Sequence, residues 1–151
     1  MKMNPDTVDF GEQLNAIKQR YGSRYHAKNE AVIEAAALWG AQCNDCGVLT
    51  DVTETISIAH ARYSATIRLY ETAKGYWHIT LDFRMPDSGF GTPANVWTHL
   101  AYNSALAARR AAIEHLLKRT SSEKHPAARG QELHAFRAKL EAELTPQLSL
   151  F

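Results

Sequence analysis

Cysteine is nearly missing from this chain: two among 151 residues, Cys43 and Cys46. That excludes a disulfide framework, so a packed core must hold the fold, and the chain reads as cytoplasmic. Long hydrophobic runs are missing as well. No apolar stretch approaches the ~18 residues of a membrane span, and the opening residues, Met1-Lys2-Met3-Asn4-Pro5-Asp6, lack the apolar core of a signal peptide. No membrane partner is expected. An excess of charge is lacking too: the net value is +1, which by itself gives no strong pull toward a polyanion. There is no Gly-x-x-x-x-Gly-Lys phosphate loop, no Gly-x-Ser-x-Gly elbow and no His-x-x-x-His pair. Internal repeats and low-complexity tracts are absent.

What remains is ordinary for a globular domain: 45% hydrophobic and 22% charged residues in a length that buries its own core. Charge is unevenly placed. Residues 1–61 hold 5 Lys/Arg against 8 Asp/Glu, whereas residues 103–140 hold 8 against 3. A local basic region is what an anionic partner would feel.

Periodicity assigns the elements. Phe10, Leu14, Ile17 and Tyr21 recur at helical spacing and stop at Gly22. A second helix is expected over about residues 28–40, burying Val32, Ile33, Ala36, Ala37 and Leu38. Tyr63, Ala65, Ile67 and Leu69 alternate with polar neighbours, as do Trp77, Ile79, Leu81 and Phe83. Thr72-Ala73-Lys74-Gly75 joins these two strands into a hairpin. Residues 48–58 offer an earlier strand, residues 86–93 a loop rich in Gly and Pro, and residues 95–102 a further short strand. Asn103 or Ser104 caps a helix with Leu106, Ile113, Leu116 and Leu117 as its apolar stripe. The last helix carries Leu133, Phe136, Leu140 and Leu144, and Thr145-Pro146 stops it.

The expected fold is α+β: a small antiparallel sheet of about three strands with helices on one face, then a C-terminal helix and a free tail. Residues 1–119 form the globular domain, 120–129 a linker, 130–146 the last helix and 147–151 the tail.

Candidate chemistry is sparse. Cys43-Asn44-Asp45-Cys46-Gly47 has the outline of a zinc knuckle, but four ligands are needed and no second cysteine pair exists. A tight turn with Gly47 at positive φ explains the same residues, and no metal or cofactor is expected. His60, His78 and Asp82 offer an acid–base cluster, or simply the polar face of an exposed sheet. Trp97, Phe90 and Tyr102 offer base-stacking surfaces or plain packing anchors. No catalytic residue is assigned.

A helix, three strands and a helix with an Arg pair near its start resemble the α-β-β-β-α order of the double-stranded RNA-binding domain. Ser104-Ala105-Leu106-Ala107-Ala108-Arg109-Arg110-Ala111-Ala112 is loosely similar to that family's last helix. The resemblance implies phosphate contacts from the start of this helix. Arg109, Arg110, Lys118 and Arg119 are accordingly the candidate nucleic-acid contacts; a solvated amphipathic helix accounts for them equally well.

The most specific signal is Gln147-Leu148-Ser149-Leu150-Phe151. It resembles the pentapeptide by which bacterial polymerases, mismatch-repair proteins and initiation regulators dock onto the β sliding clamp: Gln, an aliphatic residue, Ser or Asp, Leu, then Phe. All five positions agree, a coincidence on the order of one in a million at ordinary residue usage. The resemblance implies that Leu150 and Phe151 fill an apolar pocket, each burial worth roughly 1.5–3 kcal/mol. Leu148 would lie on the rim, Gln147 would meet polar groups at the edge, and Ser149 keeps the middle small. Ordering a free peptide opposes this, giving affinity at about the micromolar level. The competing reading folds Leu148, Leu150 and Phe151 back onto the last helix, or uses the segment as an edge strand.

The expected function is therefore a small accessory protein recruited to replicating or repaired DNA through the clamp, of a kind carried by plasmids, phages and integrated elements. Partners are the clamp, DNA, and a second copy in a homodimer. The alternatives are a nuclease-like DNA-processing enzyme tethered to the clamp and a nucleic-acid-independent interaction module.

Overall fold

The computed structural model describes residues 6–86, 88–121 and 130–144. The elements are β1 (Thr7–Asp9), α1 (Gly11–Tyr21), a single 3-10 turn (Tyr25–Ala27), α2 (Asn29–Trp39), β2 (Glu54–His60), β3 (Tyr63–Glu71), β4 (Trp77–Arg84), β5 (Gly89–Thr92), β6 (Leu100–Tyr102), α3 (Ala105–Arg119) and α4 (Gly130–Leu144). The class is α+β with an antiparallel sheet, as expected. The described sheet has six strands rather than about three, in the order β1-β6-β4-β3-β2, with β5 also on β4.

The three central strands are the ones period 2 made legible. β3 pairs with β2 from His60↔Tyr63 to Glu54↔Leu69, and with β4 from Ser64↔Arg84 to Glu71↔Trp77. The turn at residues 72–75 closes the hairpin as anticipated, with Gly75 at φ 84°. Of the other three, β6 lies within the short strand expected over residues 95–102, whereas β1 and β5, three and four residues long, are too short for an alternation to show. β5 falls in the segment read as a loop. Its glycines belong to a close strand approach: a Cβ on Gly89 would lie 2.5 Å from the Phe83 carbonyl oxygen. β1 is held from beyond its ends, with Phe10 N–H donating to His99 O (2.8 Å) and Asn103 N–H to Asp6 O (2.9 Å).

Helices cover both faces of the sheet, not one. On the first face Tyr63, Ala65, Ile67, Leu69, Leu81 and Phe83 pack against Ala108, Ala112, Ile113 and Leu116 of α3 and Leu133, Phe136 and Leu140 of α4. The last helix is thus part of the main core, its Phe136 ring 5.8 Å from Tyr63 and 5.7 Å from Phe83. Arg137 donates to Leu117 O and Thr120 Oγ1, which ties α4 to the end of α3. On the other face a second cluster joins Leu14 and Ile17 of α1, Ala31, Val32, Ala35 and Trp39 of α2, and Tyr70 and Ala101 of the sheet.

Two helix faces differ from expectation. α2 buries Ala31, Val32, Ala35 and Trp39, leaving Ile33 59% exposed. Small alanines in the stripe let the helix approach closely, and Trp39 at its end fills the volume. In α3, capped by Ser104 Oγ on Ala107 N–H (3.1 Å), Ala108 and Ala112 replace Leu106, which is 61% exposed. Among the described residues no helix is long and apolar enough to cross a membrane.

The packing of α4 gives a direct test. Phe136→Ala should cost about 3–5 kcal/mol through lost burial and a residual cavity, read as a lower urea midpoint. Leu106→Ala, on the exposed side of α3, should stay within about 0.5 kcal/mol of the parent.

Candidate functional site

The pentapeptide 147–151 lies outside the described residues, as do residues 122–129 of the expected linker.

The four cations proposed for nucleic acid sit on α3 but do not form one stripe. At 3.6 residues per turn, positions 109, 110, 118 and 119 fall at about 0°, 100°, 180° and 280° around the axis. Arg109 donates to Glu54 Oε1 on β2. Arg119 places its guanidinium 4.1 Å above the Phe90 ring. Arg110 and Lys118 are exposed and have no ion-pair partner among the described residues. The aromatic candidates are anchors: Trp97 packs edge-on against Tyr25 at 4.7 Å, and Phe90 against Phe83 at 5.4 Å. Tyr102 packs against the main core.

The order of elements departs from the α-β-β-β-α scheme at its end. A helix and three meander strands do run in sequence as α2-β2-β3-β4, but β5 and β6 separate them from α3. α2 and α3 also contribute to clusters on opposite faces of the sheet.

The Cys43–Gly47 segment is a turn built on Asn44. Its side-chain oxygen accepts from Cys46 N–H (2.9 Å) and Val48 N–H (3.0 Å), and Gly47 adopts φ 82°. Both thiols are free, and burial together with Asp45 pushes the Cys43 thiol pKa up. Among the described residues no three His, Cys, Asp or Glu side chains gather to hold a metal ion.

The His60–His78–Asp82 cluster does not form. β3 lies between the strands that carry the two histidines. His60 is in register with Tyr63 at one end of β3 and His78 with Tyr70 near the other. Nor is His78 on an exposed face: it is 2% exposed, with Trp39 set edge-on against it at 4.5 Å. Period 2 placed its side chain opposite Trp77 and Ile79, but nothing local told that α2 would cover it.

The structure instead brings His78 to a cavity of about 290 Å³ with His115 of α3, Tyr102 of β6, Thr92 and Thr98. Its cause is a gap in the sheet. On the side away from β3, β4 is in register with β5 down to Leu81↔Thr92 and meets β6 only at Trp77↔Tyr102. His78, Ile79 and Thr80 between them have no register partner on that side among the described residues. Apolar walls come from Ile79, Leu81, Leu100 and Ala111, and among the described residues no Asp, Glu, Lys or Arg lines the cavity. Nε2 of His78 and of His115 are both buried and without a hydrogen-bond partner among the described residues, as is Thr80 Oγ1. Burial lowers the pKa of His78 to about 4. His115 is lowered by burial, then by Arg119 and Lys118. Burial raises the Tyr102 pKa. At neutral pH both imidazoles are therefore uncharged, and their Nε2 atoms are closed off from solvent.

A second depression, about 620 Å³, lies beside α1 and includes Asp9 and His99. Asp9 accepts from Gly11 N–H (2.7 Å) and lies 3.2 Å from His99 Nδ1, contacts that together lower its pKa. Its carboxylate is thus engaged in capping α1 on an exposed surface.

The buried histidine has a thermodynamic signature. Unfolded, His78 takes up a proton near pH 6.5; folded, only near pH 4. Between those values the unfolded state binds more protons, so stability falls as pH drops, by about 3 kcal/mol over the whole window. His115 acts in the same sense. Urea midpoints measured across this range should decline with falling pH in the parent and decline less in His78→Phe; equal slopes would show that His78 is not held neutral.

Compared with family models, with curated proteins and with solved structures, the chain has no match.

Proposed function

We propose that the protein is a small accessory factor brought to replicating or repaired DNA by docking Gln147, Leu148, Ser149, Leu150 and Phe151 in the bacterial β sliding clamp. The observation that carries this reading is the agreement of all five residues with the clamp-docking pentapeptide. The packing of α4 supports it. Leu133, Phe136 and Leu140 fix that helix in the main core, and the pentapeptide follows Leu144 after only Thr145 and Pro146. A domain joined to its docking peptide by so short a connection gains effective concentration at the clamp without needing strong contacts of its own.

Replacing both Leu150 and Phe151 by Ala removes the two pocket-filling side chains. Capture on immobilised clamp should weaken by more than about a hundredfold, and so should deletion of residues 147–151. Undiminished capture would overturn the reading.

In this setting, any contact of the domain with DNA falls first to Arg110 and Lys118, because Arg109 and Arg119 are engaged within the fold. DNA affinity should then decrease with rising salt, and Arg110→Ala and Lys118→Ala should each reduce that dependence by about one phosphate contact. Salt-independent binding would remove DNA from the list of partners.

A further inference from the structure

We infer that the outer edge of β2 is a self-pairing interface: two copies of the chain join β2 to β2 antiparallel about Ser57, making one continuous sheet. The inference is independent of the docking peptide and rests on the backbone, the sequence and the charges of this edge.

Among the described residues β2 ends the sheet, and its seven residues make it the long edge; β1 at the other end has three. The two-residue turn Ala61-Arg62 makes His60↔Tyr63 the closing hydrogen-bonded pair of the hairpin. Bonding alternates along an antiparallel ladder. Glu54, Ile56, Ile58 and His60 therefore direct their backbone groups to β3, and Thr55, Ser57 and Ala59 direct theirs outward. In keeping with this, Lys139 Nζ reaches Ala59 O from α4 (2.8 Å). An edge of outward N–H and C=O groups is a template for another strand. The usual protections are missing within β2: it holds no Pro and no Lys, and its register with β3 runs unbroken from Glu54 to His60. Thr55, Ser57 and Ala59 are small, uncharged and exposed, so their side chains do not keep a neighbour away.

The strand also matches its own reverse. Pairing about Ser57 uses the whole of β2: Thr55 meets Ala59 and Ser57 meets Ser57 as hydrogen-bonded pairs, while Ile56 meets Ile58 between them. Ile58 belongs to the main core and Ile56 packs against it, so the second copy extends that apolar layer. At the ends, Glu54 of one copy lies opposite His60 of the other, beside Lys139, whose ammonium is held at Ala59. Acid thus meets base at both ends, and opposite charges across a strand pair stabilise it. A foreign strand would need this pattern by chance; a second copy has it by symmetry. The two-fold axis stands perpendicular to the sheet, so the two α4 helices flank it on one side. Glu132, which pairs with Arg62, and Lys139 both reach toward β2 and its turn. Ala135 and Ala142 share that side of α4 at helical spacing and are small enough for the two helices to approach. A dimer built this way carries residues 147–151 twice, which would strengthen clamp docking by avidity; the pairing itself does not depend on that docking.

The test uses the full chain. Sedimentation velocity over a concentration series should show a monomer–dimer equilibrium. Amide hydrogen exchange, followed by NMR at the two ends of that series, should show the Thr55, Ser57 and Ala59 amides open in the dilute chain and protected at least about tenfold in the dimer. Ser57→Lys sets two ammonium groups against each other on the axis and should weaken dimerisation at least about tenfold. Its side chain is exposed, so the thermal midpoint of the dilute protein should stay near that of the parent. His60→Glu sets carboxylates against each other at both ends and should weaken dimerisation similarly. The inference is overturned if the chain stays a monomer at millimolar concentration, or if either variant dimerises as tightly as the parent. It is overturned too if a dimer forms while those three amides exchange as in the monomer, which would place the contact elsewhere, such as on α4 alone. It also falls if the amides are protected in the monomer and lose that protection when residues 147–151 are deleted, because the tail of the chain then occupies the edge.

Discussion

Trp39 stands where the two halves of the molecule meet. Its ring is fully buried, 4.5 Å from Phe10, 4.5 Å from His78 and 5.7 Å from Tyr76, and its Nε1–H donates to Val96 O at 3.0 Å. One side chain at the end of α2 thus contacts the lead into α1, the sheet, and the connection between β5 and β6. The second cluster, which unites α1, α2 and the sheet, depends on it: the small alanines of α2 bring the helix close, but only the indole spans the remaining gap. It also removes His78 from water, so the unusual electrostatics of the cavity follow from a packing contact rather than from any nearby charge.

The sheet has a comparable division of roles. β3 is the fixed centre, paired along nearly its whole length on both sides, and its inward face carries the main core. β4 is continuous against β3 but has an interrupted outer edge, shared between β5 and β6. Side chains of α3 and α4 cover the first face, while the interruption leaves room for a cavity beside β4. Such interruptions expose strand edges that proteins ordinarily cover. Here it is bordered by Thr92, Thr98 and Tyr102.

The basic character of the C-terminal half has a more modest meaning in three dimensions than its residue count implies. α3 distributes its cations around the axis, one is paired with Glu54 and another lies over Phe90. A helix that must pack against both the sheet and α4 keeps little of its circumference for a single charged stripe. The proposed docking of residues 147–151, by contrast, rests on residue identity alone.

What the sequence determined by itself was local. Alternation in residues 63–69 and 77–83 fixed the central hairpin, and helical spacing fixed α1, α3 and α4. These readings hold because a period needs only neighbours along the chain. The short strands β1 and β5 carry too few residues to show a period, and β1 finds its partner, β6, far along the chain. Which face of α2 is buried, that Ala108 and Ala112 rather than Leu106 meet the core, and that His78 and His115 share a cavity were decided by tertiary structure. Each depends on the approach of elements distant in sequence, and close approach selects for volume and shape, which a pattern of polar and apolar residues does not encode.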